Sequence, residues 1–224
     1  MQDATSDPVR NRRPIAAREL RIFQMAAEWL SRRKVTANAI SVAGMTAGML
    51  AGLAFALTPY AGSVEALAWF AAAALIQLRL LANMLDGMVA LASGTASRLG
   101  ELFNEVPDRV SDSATLIGLG YAVGGDELLG FAAATAAMAT AYVRALGVAA
   151  GARAEFCGPM AKQQRMFVAT AVAVLCGVAS LVQIAVDVGG CGLPAIALAI
   201  ITAGAAATAL RRLTRIARAL RSGA

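Results

Sequence analysis

The chain has 224 residues, of which 58% are hydrophobic, 15% charged and only 5% aromatic, and its net charge is +6. This composition is typical of a membrane protein and excludes a soluble core, while the shortage of aromatic stacking partners argues against a nucleic-acid partner. Histidine is absent, so Ser-His and Cys-His nucleophile schemes are excluded and any general base must be a carboxylate or a lysine.

The N-terminal arm is rich in arginine and has no apolar core or cleavage site typical of a signal peptide. Residues 1–13 are expected to be disordered. Residues 15–33 are predicted to form a basic amphipathic helix in the headgroup layer, because Leu20, Phe23, Ala27 and Leu30 share one stripe. The alternative is a plain positively charged topology signal.

Six apolar segments are long enough to cross a bilayer, which needs roughly 17 to 25 residues each. Nearly all lysines and arginines lie in the N-terminal arm, two of the loops and the C-terminal tail. The positive-inside rule therefore places both termini and both basic loops in the cytoplasm, and the predicted fold is an all-α polytopic membrane protein. The predicted spans are Val35 to Leu57, Val64 to Leu85, Asn104 to Val123, Leu128 to Ala150, Met166 to Val186 and Gly192 to Leu210.

Glycines repeat every four residues in the first span, at Gly44, Gly48 and Gly52. Such a face of small residues lets two helices approach closely. The sequence leaves open whether the neighbour belongs to the same chain or to a second subunit of a homodimer.

Oxygen-bearing side chains gather between the second and third spans. Asn83 and Asp86 are three residues apart, and Asn104, Asp108 and Asp112 are spaced as a ladder on one helix face. Carboxylate and amide oxygens suit Mg²⁺ or Mn²⁺, so we expect a metal site at a cytoplasmic membrane edge. Two glycines nearby, Gly87 and Gly100, would let a nucleotide approach the backbone.

An arginine also lies inside the second span. Arg79 is on the same helix face as Asn83 and Asp86, about 10 Å deeper in the membrane than Asp86 at 1.5 Å per residue. Since an unpaired arginine is costly there, we expect an ion pair with Asp112 at the floor of the site, with phosphate contact as the competing role.

This segment resembles the signature of the CDP-alcohol phosphotransferases, whose pattern is D-x2-D-G-x2-A-R-x8-G-x3-D-x3-D. The residues that match in type and spacing are Asp86, Gly87, Ala90, Gly100 and Asp108. The six-span layout and the preceding amphipathic helix extend the resemblance over nearly the whole chain. The resemblance implies an enzyme that attacks the pyrophosphate of a CDP-linked lipid, such as CDP-diacylglycerol, with an acceptor hydroxyl and releases CMP.

Three positions depart from the family pattern. Asn83 and Asn104 stand where aspartates are expected, and Leu91 stands where an arginine is expected. Two negative charges are therefore missing, which makes a single or weaker metal site an alternative to two metal ions. Leu91 cannot contact phosphate, and Arg98 or Arg79 is the candidate replacement.

The polar cluster, the signature and the second basic loop suggest roles for individual residues. Asp108 is the candidate general base, and the predicted metal ligands are Asn83, Asp86, Asn104 and Asp108. Contacts to the CDP group are expected from Asp86, Gly87, Ala90, Arg98 and Gly100. The cations expected to bind a phosphorylated acceptor are Arg144, Arg153, Lys162 and Arg165.

The sequence thus predicts a single membrane domain over residues 1–224, in the inner membrane. The resemblance implies that this domain transfers a phosphatidyl-type group from a CDP-linked lipid to a small alcohol or alcohol phosphate. Two alternatives stay open: hydrolysis of the CDP-lipid, because the site lacks two acids and an arginine, and a non-catalytic scaffold or transporter. The sequence does not identify the acceptor.

Overall fold

The computed structural model describes residues 20–94 and 98–222, without the side chains of residues 98–104. The predicted disorder of residues 1–13 lies outside these ranges. Within them, the backbone forms seven α-helices and one two-stranded hairpin. These elements are α1 (Arg21–Arg32), α2 (Ala37–Leu57), α3 (Glu65–Ala92), α4 (Arg98–Gly120), α5 (Glu127–Ala149), α6 (Lys162–Leu181), β1 (Asp187–Val188), β2 (Cys191–Gly192) and α7 (Leu193–Ser222).

The all-α polytopic architecture is confirmed, although the count of six spans is not exact. By length and composition, five segments of the described chain could cross a membrane, and they contain α2, α3, α5, α6 and α7. The sixth long helix, α4, is not among these segments. It carries the acidic ladder and two arginines, whose charge lowers its hydropathy.

The glycine face of α2 packs inside the chain, against both α3 and α4. A Cβ atom on Gly44 would lie 2.8 Å from Ala82 of α3, and a Cβ atom on Gly52 would overlap the backbone of α4 at Ala114. Only glycine allows backbones to approach this closely. The face therefore fixes α3 and α4 side by side, which is what brings their polar residues together.

Helix α3 extends beyond its predicted end. The sequence placed a loop from Asp86 to Phe103, but α3 continues to Ala92 and α4 begins at Arg98, so this prediction is wrong. Helix α3 stops where Gly94 adopts φ +66° and donates to the carbonyl of Leu91, as glycines following helices commonly do. The signature residues of α3 are therefore held on a rigid helix.

The described part of the predicted amphipathic helix forms α1. One side packs against α3, with Ala27 buried and Leu30 partly buried beside it. Ile22, Met25 and Trp29 are exposed on the other side. An apolar stripe of this kind, at the end of a helical bundle, suits the boundary between headgroups and acyl chains.

At the opposite end of the bundle, a hairpin joins α6 to α7. Its turn consists of Gly189 and Gly190, with φ values of +62° and +82°, which glycine adopts without strain. The main apolar core lies between these two ends and includes Phe55, Trp69 and Leu198, each at most 1% exposed.

Candidate functional site

Asp108 lies at the centre of a polar cluster that α3, α4 and α6 form together. Its Oδ1 atom accepts hydrogen bonds from Arg79 Nη2 at 2.8 Å and from Asn83 Nδ2 at 2.9 Å. Its Oδ2 atom accepts from the ammonium group of Lys162, and the Arg109 guanidinium lies 3.7 Å from the same oxygen. Both carboxylate oxygens are therefore already engaged by donors.

Below Asp108, the structure brings Arg79 and Asp112 together, the two residues that the spacing suggested as a pair. Arg79 Nη2 lies 2.8 Å from Asp112 Oδ1, and each side chain is only 2% exposed. Ser111 accepts a hydrogen bond from Arg79 Nε at 2.9 Å, and Arg165 lies 3.4 Å from the other oxygen of Asp112. The buried floor of the cluster is thus built from helices α3, α4 and α6.

Asp86 is held by a residue of α2, which contributes no contact to Asp108 among those described above. Ser41 of α2 donates a hydrogen bond of 2.7 Å to Asp86 Oδ2. The other oxygen, Oδ1, is buried and has no hydrogen-bond partner among the described side chains. Burial of a carboxylate oxygen without a donor is costly, so Oδ1 is suited to a cation or a ligand group.

Three of the four cations expected to bind an acceptor are paired with carboxylates. Arg144 makes two bonds of 2.7 Å to Glu105 and lies over the ring of Phe156, and Arg165 is 1% exposed. Lys162 contacts Asp108, as described above. Arg153 is exposed in the loop before α6. Acceptor binding by these residues stays a prediction.

For several other predicted site residues, the structure describes no hydrogen bond from the side chain to the polar cluster. The side chains of Arg98, Gly100 and Asn104 lie outside the described residues. Gly87 and Ala90 are partly buried on α3. Leu91, which replaces the arginine of the family pattern, is 54% exposed and is therefore not part of the cluster's buried floor.

Sequence reasoning missed three residues that organise the site. Ser41 holds Asp86, Ser111 holds Arg79, and Glu105 pairs with both Arg144 and Arg109. The helical spacing offered a signal for Ser111, which follows Asp108 by three residues. Nothing in the local pattern indicated Ser41, because its contact joins residues 45 positions apart.

The described side chains of the cluster differ in whether they leave an oxygen for a divalent cation. In the described part of the chain, no three His, Cys, Asp or Glu side chains are placed to share a metal ion. The unpartnered Oδ1 of Asp86 offers one carboxylate ligand for Mg²⁺ or Mn²⁺. Asp108, by contrast, already receives three hydrogen bonds from two cations and an amide.

The chain is similar to part of a curated protein, and no family model matches it. The inner membrane protein YnbA of Escherichia coli K12 is 33% identical over 86 residues. This match covers 38% of the present chain and 40% of YnbA. The chain therefore matches well under half the length of this relative.

Solved structures share the fold over most of the chain. Phosphatidylinositol phosphate synthase from Mycobacterium tuberculosis, solved with CDP-DAG bound, superposes with a TM-score of 0.68 at 23% identity, covering 88% of this chain and 94% of that one. The same synthase with manganese and citrate gives a TM-score of 0.67 at 22% identity over 87% and 88% of the two chains. The synthase is a CDP-alcohol phosphotransferase. The chain thus has the fold of that family, and the resemblance seen in the sequence is confirmed at the level of the fold.

Proposed function

We propose that this protein transfers a phosphatidyl-type group from a CDP-linked lipid, with CDP-diacylglycerol as the favoured donor, to an alcohol acceptor and releases CMP. The observation that carries the proposal is the placement of the signature residues. Asp86 lies on α3 and Asp108 on α4, and a hydrogen bond from Asn83 of α3 to Asp108 links the two helices at one end of a bundle with this fold. The donor is supported by the CDP-DAG in the related synthase.

In the proposed reaction, the acceptor hydroxyl oxygen forms a bond to the phosphorus that carries the diacylglycerol. The bond from that phosphorus to the bridging pyrophosphate oxygen breaks, and CMP leaves with its negative charge. Asp108 accepts the hydroxyl proton. Because both oxygens of Asp108 are engaged, the hydroxyl must displace one donor, and the long side chain of Lys162 is the one most easily moved.

A divalent cation, Mg²⁺ or Mn²⁺, would neutralise charge on the pyrophosphate when bound. We propose Asp86 as its principal ligand. The other predicted ligands are Asn83, Asn104 and Asp108, of which Asn83 and Asp108 accept hydrogen bonds from Lys162 in this structure. The backbone near Gly87, Ala90 and Gly100, together with Arg98, would contact the CDP group. Manganese in the related synthase supports this choice of metal.

The acceptor is proposed to be a small alcohol or alcohol phosphate that enters beside α5 and α6. Arg144 and Arg153 are the predicted acceptor-binding residues that we favour. Arg165 is less suited to this role because it is buried against Asp112. A phosphorylated acceptor would have to compete with Glu105 for Arg144.

The location and assembly are part of the same proposal. The described helices and the match to an inner membrane protein support a single multi-pass domain in the inner membrane. We place both termini and the site on the cytoplasmic side because the arginines and lysines concentrate there. Homodimerisation stays a prediction, since the glycine face of α2 is used within the chain.

Release of CMP by the purified protein tests the proposal. The assay would supply CDP-diacylglycerol, Mg²⁺ or Mn²⁺ and a panel of alcohols and alcohol phosphates, each with and without the metal. We expect metal-dependent CMP release only when a suitable acceptor is present, and its loss in Asp86→Ala. Exposed Arg211, far from the cluster in sequence, supplies the control variant Arg211→Met.

Hydrolysis is the second candidate. It is favoured by the replacement of the pattern's arginine by Leu91 and by the pairing of the expected acceptor cations with carboxylates. CMP release at the same rate with and without every acceptor would support it. No CMP release under any condition would favour a scaffold or a transporter.

A further inference from the structure

Lys162 enters the acidic cluster from a third helix. It is the first residue of α6, and its ammonium group donates to Asn83 Oδ1 at 2.8 Å and to Asp108 Oδ2. The side chain is 14% exposed. Lys162 therefore bridges oxygens from α3 and α4, two elements whose oxygens were expected to share a metal ion.

The charges at these positions favour one divalent ion fewer than the family pattern provides for. The family pattern has four acids where this chain has Asn83, Asp86, Asn104 and Asp108, so two negative charges are lost. One divalent ion carries the same amount of positive charge, and two amides hold a divalent ion less well than two carboxylates. An ammonium group is a compact point charge with three donors, which satisfies an amide oxygen and a carboxylate together.

The two aspartates of the signature differ in how they are occupied. Both oxygens of Asp108 are engaged, because Arg79 and Asn83 donate to Oδ1 and Lys162 donates to Oδ2. Asp86 has one oxygen held by Ser41 and one buried oxygen without a partner among the described side chains. One half of the site is therefore filled by the protein, and the other half is open to a cation.

We propose that this site binds a single divalent ion, at Asp86, and that the Lys162 ammonium group occupies the place of a second ion between Asn83 and Asp108. The inference rests on the proposed function for the presence of the first ion. Lys162 is then a built-in cation that faces the phosphates of the donor, rather than part of the acceptor site.

Counting Mn²⁺ ions per chain tests the inference without substrate. Equilibrium dialysis of the full-length protein in detergent would compare wild type, Asn83→Asp, Lys162→Met and the double variant Asn83→Asp/Lys162→Met. We expect one ion in wild type and in Asn83→Asp, where the lysine remains, and two ions in the double variant. Lys162→Met alone should bind its second ion more weakly than the double variant, and the charge control Arg211→Met should bind one.

Two ions in wild type or in Asn83→Asp would overturn the inference, as would no ion in wild type or one ion in a folded double variant. If the double variant does not fold, electron paramagnetic resonance of Mn²⁺-loaded wild type and Asn83→Asp tests the inference instead. An isolated-ion Mn²⁺ spectrum in both supports the inference, and a spin-coupled pair in either one overturns it. Absence of acceptor-dependent CMP release alongside a single bound ion would count against the proposed function only.

Discussion

The buried pair of Arg79 and Asp112 should make a large and non-additive contribution to stability. We consider the variants Arg79→Leu, Asp112→Leu and the double variant. The two groups are 2.8 Å apart, and each is 2% exposed, so water cannot solvate a partner left behind. Removal of one member of such a pair typically costs about 3 to 5 kcal/mol. Arg79→Leu should lie at the upper end, because it also removes a donor from Asp108.

The double variant should be less destabilised than the sum of the single variants, with a coupling energy of about 2 kcal/mol. The free energy of unfolding can be measured by titrating detergent-solubilised protein with sodium dodecyl sulfate and following helix loss. Arg165 still lacks its carboxylate in the double variant, which keeps that variant below wild type in stability.

The pair Glu28 and Arg32 on α1 supplies the matched control. It joins an arginine and a carboxylate at 3.5 Å, but the side chains are 60% and 80% exposed. Its coupling energy should not exceed about 0.5 kcal/mol. If the effects of Arg79→Leu and Asp112→Leu are additive within about 0.5 kcal/mol, the reasoning about this pair is refuted. Retained stability with lost affinity for CDP-lipid in Arg79→Leu would assign that arginine to phosphate binding.

Three further changes test other parts of the structure. Gly52→Leu should destabilise the protein by about 1 to 3 kcal/mol, because the added side chain meets the backbone of α4, whereas Met49→Leu on the exposed side of α2 should be close to neutral in the same unfolding titration. Gly158→Ala should lower the thermal midpoint more than Gly151→Ala does: both glycines have positive φ, but only at position 158 would a Cβ atom overlap a threonine of α7. Asp108→Asn should reduce the rate of CMP release roughly 10² to 10⁴-fold while CDP-lipid binding largely survives, and turnover near the wild-type rate would exclude this residue as the base.

Much of the helical architecture could be predicted because apolar length and charge placement act locally along the chain. The spacing of Arg79, Asn83, Asp108 and Asp112 also indicated which side chains meet across α3 and α4, since residues three or four apart share a helix face. The end of α3 was misplaced for a physical reason. Polar residues suggested a loop, but polar residues on a helix at the bundle's end can face one another, and the chain turns only at Gly94.

Long-range contacts account for what the sequence could not predict. Ser41 meets Asp86 across 45 residues, and Lys162 meets Asn83 across 79. No local sequence pattern indicates either contact, because the contacts depend on how α2 and α6 pack on α3. The sequence therefore placed Lys162 among the acceptor cations by its position in a basic loop, whereas the structure places its ammonium group among the acids.

Tracing the fate of solvent oxygen tests the proposed transfer most directly. CDP-diacylglycerol would be incubated with the protein, metal and the acceptor panel in ¹⁸O-labelled water, and the lipid products identified by mass spectrometry. Transfer predicts a new phospholipid that consists of the phosphatidyl group joined to an acceptor and contains no label from water. Formation of labelled phosphatidic acid as the only lipid product would contradict the account, because water rather than an alcohol would then have attacked the phosphorus.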